Sequence, residues 1–154
     1  MIVGARVDFR LIHGQVGNLW SNARQVSRFM VVDDQSAEDA TQKQVLRMAT
    51  PATCKLSVLP VDKAAANITA GKYDAQRLFI VVKKPETYVK LAKAGVKFDQ
   101  IILGNITSMN IAKSFNRNIN CGQDDIDALT ELQNMGIPMV IQLTPQDNPQ
   151  DFKL

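Results

Sequence analysis

At 154 residues, with 45% hydrophobic and 21% charged side chains, the chain has the size and make-up of an ordinary one-domain globular protein. Its net charge of +3 is spread along the sequence with no run of Lys or Arg, which argues against nucleic acid as a partner and leaves an anionic small ligand or an acidic protein surface. Cys54 and Cys121 form no CxxC pair, so no zinc or redox motif is indicated. Reduced thiols without a signal peptide predict a cytoplasmic chain, and the longest apolar run, Leu78 to Val82, is far too short for a bilayer.

The first predicted strand is MIVGARV, ending near Asp8. A turn with Arg10, His13, Gly14 and Gln15 leads into a helix whose Val16, Leu19, Trp20 and Ala23 share one face at i, i+3, i+4, i+7 spacing. RFMVV is the second strand. A second helix is predicted to open on Ser36 as N-cap, with Asp39 three residues on. KLSVLPV is the third strand, followed by a helix after Asp62 that stops at Gly71. RLFIVV leads to a helix framed by Pro85 at its start and Gly95 past its end. QIILG is the fifth strand. The segment from Asn105 to Cys121 then breaks the alternation, and its Ile119 region reads either as a short extra strand or as loop. The last helix opens on Asp124 and Asp125, buries Ile126 and Leu129 and ends at Gly136, ahead of the strand PMVIQL. From about Pro145 the TPQDNPQDFKL tail is expected to fray.

The strands are continuous Val, Ile, Leu and Phe runs, the pattern of strands covered on both faces. Strand and helix in regular alternation predict an α/β fold: an open, mostly parallel doubly wound sheet with helices on both faces. Ligands of such sheets sit beyond the carboxyl ends of the strands. Those ends carry Asp8 to His13, Asp33 and Asp34, Pro60, Lys83 and Lys84, and Gly104 to Thr107.

His13 is the single histidine, and a lone histidine is by default a surface or satisfied core residue. Its address argues otherwise. It follows the first strand directly, at the amino end of a helix whose N–H groups face anything bound there. Gly14 permits close backbone approach. Arg10, three residues before it, is suited to bidentate phosphate recognition, though a structural salt bridge to Asp8 is an equal alternative. GQVG at Gly14 to Gly17 is not a dinucleotide fingerprint, and neither a P-loop nor GxSxG occurs. Asp33 and Asp34 are better read as solvated or capping acids than as magnesium ligands. What remains is imidazole as a nucleophile toward phosphorus, a chemistry that needs no metal and no cofactor.

RVDFRLIHGQV resembles the R-(I/V)-D-(D/N)-R-L-(I/V)-H-G-Q-V loop of the mannose/sorbose-type IIB components of the bacterial phosphoenolpyruvate-dependent sugar phosphotransferase system. VVDDQSAEDATQKQVLRMATP, KKPETYVKLAKAGVKFDQIILGNI and DDIDALTELQNMGIPMVIQLTP resemble further stretches of that family, so the likeness runs along essentially the whole chain. It implies one IIB-type phosphotransfer domain over 1–154. It also implies that His13 receives phosphate on Nδ1 from a IIA component and passes it to a sugar, commonly at the 6-hydroxyl, during uptake through membrane IIC/IID subunits. Arg10, Gly14 and Gln15 would then bind the phosphate, with Asp8 and Arg6 supporting the loop. Peripheral association with the permease follows; a monomer and a weak homodimer both fit. Two features depart from the family pattern: Phe9 stands at a usually polar position, and the segment 104–121 lacks the usual Gly before Lys113. Phe9 is the main support for the alternative, a regulatory phospho-acceptor that hands nothing to sugar. A small-anion-binding module is a further alternative. Lys83, Lys84, Asn105 and Thr107 are weaker candidates for the site.

Overall fold

The computed structural model describes Met1–Leu154. Strands β1 (Ile2–Asp8), β2 (Arg28–Val32), β3 (Lys55–Leu59), β4 (Leu78–Val82), β5 (Ile101–Asn105) and β8 (Met139–Ile141) run parallel, and β9 (Gln150–Asp151) adds an antiparallel edge. Their order is β3-β2-β4-β1-β5-β8-β9. Helices α1 (Val16–Arg24) and α3 (Ala40–Ala49) cover one face; α4 (Val61–Thr69), α5 (Pro85–Lys93) and α6 (Gln123–Asn134) cover the other. This is the open α/β sheet expected from the alternation of elements.

The continuous apolar runs follow from this double coverage. In β4, Leu78, Ile80 and Val82 join the layer under α4, α5 and α6, whereas Phe79 and Val81 join the layer under α1 and α3. Neither face of the strand meets water, so neither calls for polar residues. Trp20 is buried from α1 against Phe79, with ring centroids 5.7 Å apart, and Tyr88 from α5 stacks edge-on to Phe98 at 5.0 Å.

Two expectations need correction. The second helix does not begin on Ser36: a four-residue turn, α2 (Asp34–Ala37), precedes α3. Asp33 caps α2 by accepting from the Ser36 amide at 3.0 Å, and Asp39 caps α3 by accepting from the Gln42 amide at 3.0 Å. Two good capping carboxylates six residues apart start two helices rather than one. The tail does not fray. It returns as β9 along β8, the Phe152 amide bonds to the Met139 carbonyl at 2.9 Å, and Phe152 is buried edge-on to Phe115. Its polar sequence hides one apolar anchor.

The Asn105–Cys121 segment holds a two-stranded hairpin, β6 (Lys113–Asn116) and β7 (Ile119–Cys121). Asn116 builds the turn, its side-chain oxygen accepting from the amides of Asn118 at 2.7 Å and Ile119 at 2.9 Å. Buried Ile119 bridges to Ile106, which fastens the hairpin beyond the end of β5. No helix is long and apolar enough to cross a membrane.

Candidate phosphotransfer site

β1 turns into α1 on one face of the sheet, while β5, its neighbour, leads through the hairpin to α6 on the opposite face. The diverging connections open a crevice beyond the carboxyl ends of the two strands. The loop between β1 and α1 fills it, and an open pocket of about 450 Å³ lies there, lined by His13, Arg10, Phe9, Asn105, Thr107, Arg117 and Thr144 among others.

The loop is tight. The Leu11 amide closes a turn onto the Asp8 carbonyl at 2.9 Å, which puts Leu11 at φ 60°. A non-glycine residue pays for that conformation, and Leu11 and Ile12 are held in it by burial against Trp20 and its neighbours. Gly14 follows at φ 51° with open space where a Cβ would stand. The chain then enters α1 through Gln15, and the amides of His13, Gly14 and Gln15 donate to no backbone carbonyl, leaving donors free at the helix start.

Asp8 organises the side chains. It is fully buried, and one carboxylate oxygen accepts from the Arg10 amide at 3.0 Å. The other accepts from Arg6 Nη2 at 3.3 Å, from Asn105 Nδ2 at 3.0 Å and from His13 Nε2 at 3.1 Å. Arg6 is buried too: its Nη1 donates to the Gln142 carbonyl at 2.9 Å and its guanidinium lies 5.5 Å from the Trp20 ring centre. Burial pulls its pKa below the usual value, against which the Asp8 charge and hydrogen bond work. Gly104 makes the space, because a Cβ there would stand 2.2 Å from the Arg6 guanidinium.

The consequence for His13 is chemical. A carboxylate only accepts, so the ring nitrogen facing Asp8 carries the proton and the lone pair is on Nδ1. Arg10 Nη2 lies 2.9 Å from Nδ1 and donates to it. The same Arg10 nitrogen lies 3.4 Å from Nε2, so the guanidinium sits beside the ring and closer to Nδ1, and the His13 side chain is 19% exposed.

The sequence-level candidates sort cleanly. Arg6, Asp8, Arg10, His13 and Asn105 form one hydrogen-bonded set, and Thr107 lines the pocket. Gly14 and Gln15 are exposed at the turn. The Arg10–Asp8 salt bridge is not made: Arg6 takes that carboxylate, and Arg10 meets it only through its main chain. Lys83 pairs with Asp33 at 3.2 Å and Lys84 with Asp124, so neither cation joins the site. Asp34 accepts from the Val61 amide at 2.8 Å. Arg117, in the hairpin turn, reaches the pocket unforeseen; an asparagine-flanked turn between two β-prone stretches was its only signal.

Residues 2–154 match the family described as "PTS system sorbose subfamily IIB component". The chain is 28% identical over 152 residues to the sorbose-specific EIIB component of Lacticaseibacillus casei, covering 99% of this chain and 93% of that one. It is 30% identical over 154 residues to the N-acetylgalactosamine-specific phosphotransferase enzyme IIB component 2 of Escherichia coli K12, covering 99% and 98%. The solved IIB domain of the sorbose permease from Klebsiella pneumoniae superposes with a TM-score of 0.91 at 26% identity, over 97% of this chain and 91% of that one. With the family pattern matched from residue 2 to residue 154 and relatives aligned over nearly their whole length, the chain belongs to the sorbose-subfamily IIB components of the phosphoenolpyruvate-dependent phosphotransferase system.

Proposed function

We propose that His13 is the phosphoryl acceptor of this IIB component and that it uses Nδ1. The observation carrying the reading is the division of labour on the ring: Nε2 rests on buried Asp8, and Nδ1 faces the open pocket and Arg10. In the first step the Nδ1 lone pair attacks the phosphorus of a phosphorylated IIA component. The P–N bond to the donor histidine breaks and a P–N bond to His13 forms. Nε2 keeps its proton, so the ring becomes a phospho-imidazolium whose charge is met by Asp8. In the second step a sugar hydroxyl oxygen attacks phosphorus, its proton passes to solvent, and neutral imidazole leaves with its Nε2–H in place.

Arg10 moves from Nδ1 to the phosphoryl oxygens as the bond forms, and the free amides of His13, Gly14 and Gln15 offer further donors to the same oxygens. Arg6 acts at one remove, by holding Asp8. Phe9 (41% exposed) and Leu143 (37% exposed) rim the pocket and supply an apolar edge against which a IIA component and the IIC/IID permease subunits dock in turn. On this reading the protein works in the cytoplasm, at the membrane only through its partners. The sugar is set by those partners, since the relatives that match at 27–30% identity are named for sorbose, fructose, mannose and N-acetylgalactosamine.

The test is phosphorylation from phosphoenolpyruvate through enzyme I, HPr and a sorbose-family IIA. The wild type is expected to take up acid-labile, alkali-stable label, and His13→Ala to take up none. Equal labelling of the two proteins would reject the proposal.

A further inference from the structure

The hairpin β6–β7 forms the wall of the pocket opposite the His13 loop, and its turn carries Arg117. The wall is fixed in place: the Ile106 amide bonds to the Asn118 carbonyl at 2.9 Å and the Asn120 amide to the Ile106 carbonyl at 2.8 Å, so the turn is fastened to the end of β5 on both sides. Asn120 Nδ2 also donates to the Arg117 carbonyl at 3.0 Å. The Arg117 side chain itself makes no hydrogen bond and no ion pair, and it is exposed toward the pocket that His13 and Arg10 line from the other side. No carboxylate lines that pocket; Asn105, Thr107, Asn118, Asn120 and Thr144 supply the remaining polar groups.

Charge favours a second cation here. A phosphoryl group carries about two negative charges and three strong acceptor oxygens at neutral pH. Arg10 brings one positive charge. Arg6 is sealed behind Asp8 and does not reach the pocket. An unpaired guanidinium across an open, carboxylate-free pocket is placed to meet the oxygens that Arg10 leaves uncovered.

We propose that Arg117 is a second phosphoryl-binding residue, so that phosphorylated His13 is clamped between Arg10 on its own loop and Arg117 on the facing hairpin. The inference rests on His13 being the acceptor. It makes the hairpin part of the transfer machinery rather than a lid on the sheet end.

The experiment avoids partner proteins, so that a docking role for Arg117 does not register. Wild type, R117Q, R117K and the distant surface variant K97Q, which changes net charge equally, are loaded with phosphoramidate. In this reaction the P–N bond to ammonia breaks as the bond to Nδ1 forms. Loading rate and the pH titration of the 31P resonance are followed. R117Q is expected to load about tenfold more slowly, the scale of one charge-assisted hydrogen bond, with its phosphoryl group titrating at higher pH than in wild type. R117K should recover part of both effects, and K97Q neither differs from wild type nor shifts the titration. Equal melting temperatures for wild type and R117Q are expected because the side chain has no partners to lose. If R117Q loads and titrates as wild type does while His13 carries the label, the clamp is wrong and the acceptor assignment stands. If wild-type His13 takes no label, both fall together.

Discussion

At the scale of single residues, Asp8 matters more than its silence in chemistry suggests. It takes four hydrogen bonds in a fully buried position, one each from Arg6, Arg10, His13 and Asn105. Asp8→Asn leaves the shape nearly unchanged but strands the Arg6 guanidinium without its counter-charge. Removing one partner of a buried ion pair costs about 3–5 kcal/mol, so this variant is expected to melt well below wild type in calorimetry. It should also accept phosphate slowly, because an amide that turns its NH2 toward Nε2 would place the ring proton on Nδ1. Arg10→Ala is the contrasting case. The Arg10 side chain is exposed and its only side-chain contact is His13. Loading by a phosphorylated IIA should fall by about 10²-fold with the melting temperature unchanged, and unaltered transfer kinetics would remove Arg10 from the mechanism. Of these residues, the loop pattern around His13 pointed to Arg10 and Asp8 at once. The proper partner of Asp8 was less plain: Arg6 lies two residues away on the same strand face, and only the glycine at position 104 on the neighbouring strand makes room for its head.

Among the elements, the hairpin and the tail depend on each other. Phe115 on β6 meets Phe152, just past β9, with ring centroids 5.0 Å apart, and β9 pairs with β8. Phe152→Ala should therefore cost about 3–5 kcal/mol, the usual scale for emptying a buried phenylalanine site. The loss should appear first as faster amide exchange in Lys113–Cys121, measured by hydrogen–deuterium exchange, since that hairpin loses its outer support. Exchange that quickens only in the tail would mean the hairpin stands alone. Regular elements were legible because each carries a local signature: apolar runs for strands, Pro85 at a helix start, acids at helix amino ends. The hairpin and β9 were harder to read. Their strands are short and polar, and what makes them strands is a partner found elsewhere in the chain.

On the scale of the whole molecule, the two cysteines report one on each apolar layer flanking the open sheet, Cys121 under α4, α5 and α6 and Cys54 under α1 and α3. Cys54 and Cys121 are both buried, and burial together with nearby Asp125 and Asp124 pushes the Cys121 thiol up from 9.0 to about 12. The folded protein should react with no thiol reagent at neutral pH, and the unfolded chain with two equivalents. The same shift sets a pH dependence. The native state holds the Cys121 proton more tightly than the unfolded chain does, so its contribution to stability is full below pH 9 and is lost as pH rises from 9.0 toward about 12. Tyr88, raised by complete burial, acts in the same direction. Cys121→Ala should be less stable than wild type at pH 7, through lost packing, and that gap should narrow in thermal melts at pH 10 to 11. A constant gap would place the alkaline loss elsewhere.

The amino-acid sequence by itself determined the alternation of strand and helix, the parallel sheet, the position of His13 at a strand-to-helix turn and the resemblance of its loop to one family. All of these are written in residues close together along the chain, where periodicity, capping and motif spacing act. Tertiary structure alone decided which arginine pairs with Asp8, which imidazole nitrogen keeps the proton, and that Arg117 faces the pocket from more than 100 residues away. Those outcomes depend on β1, β5 and the hairpin meeting at one sheet end. Charges and hydrogen bonds are chosen by distance in space, and no local pattern encodes that.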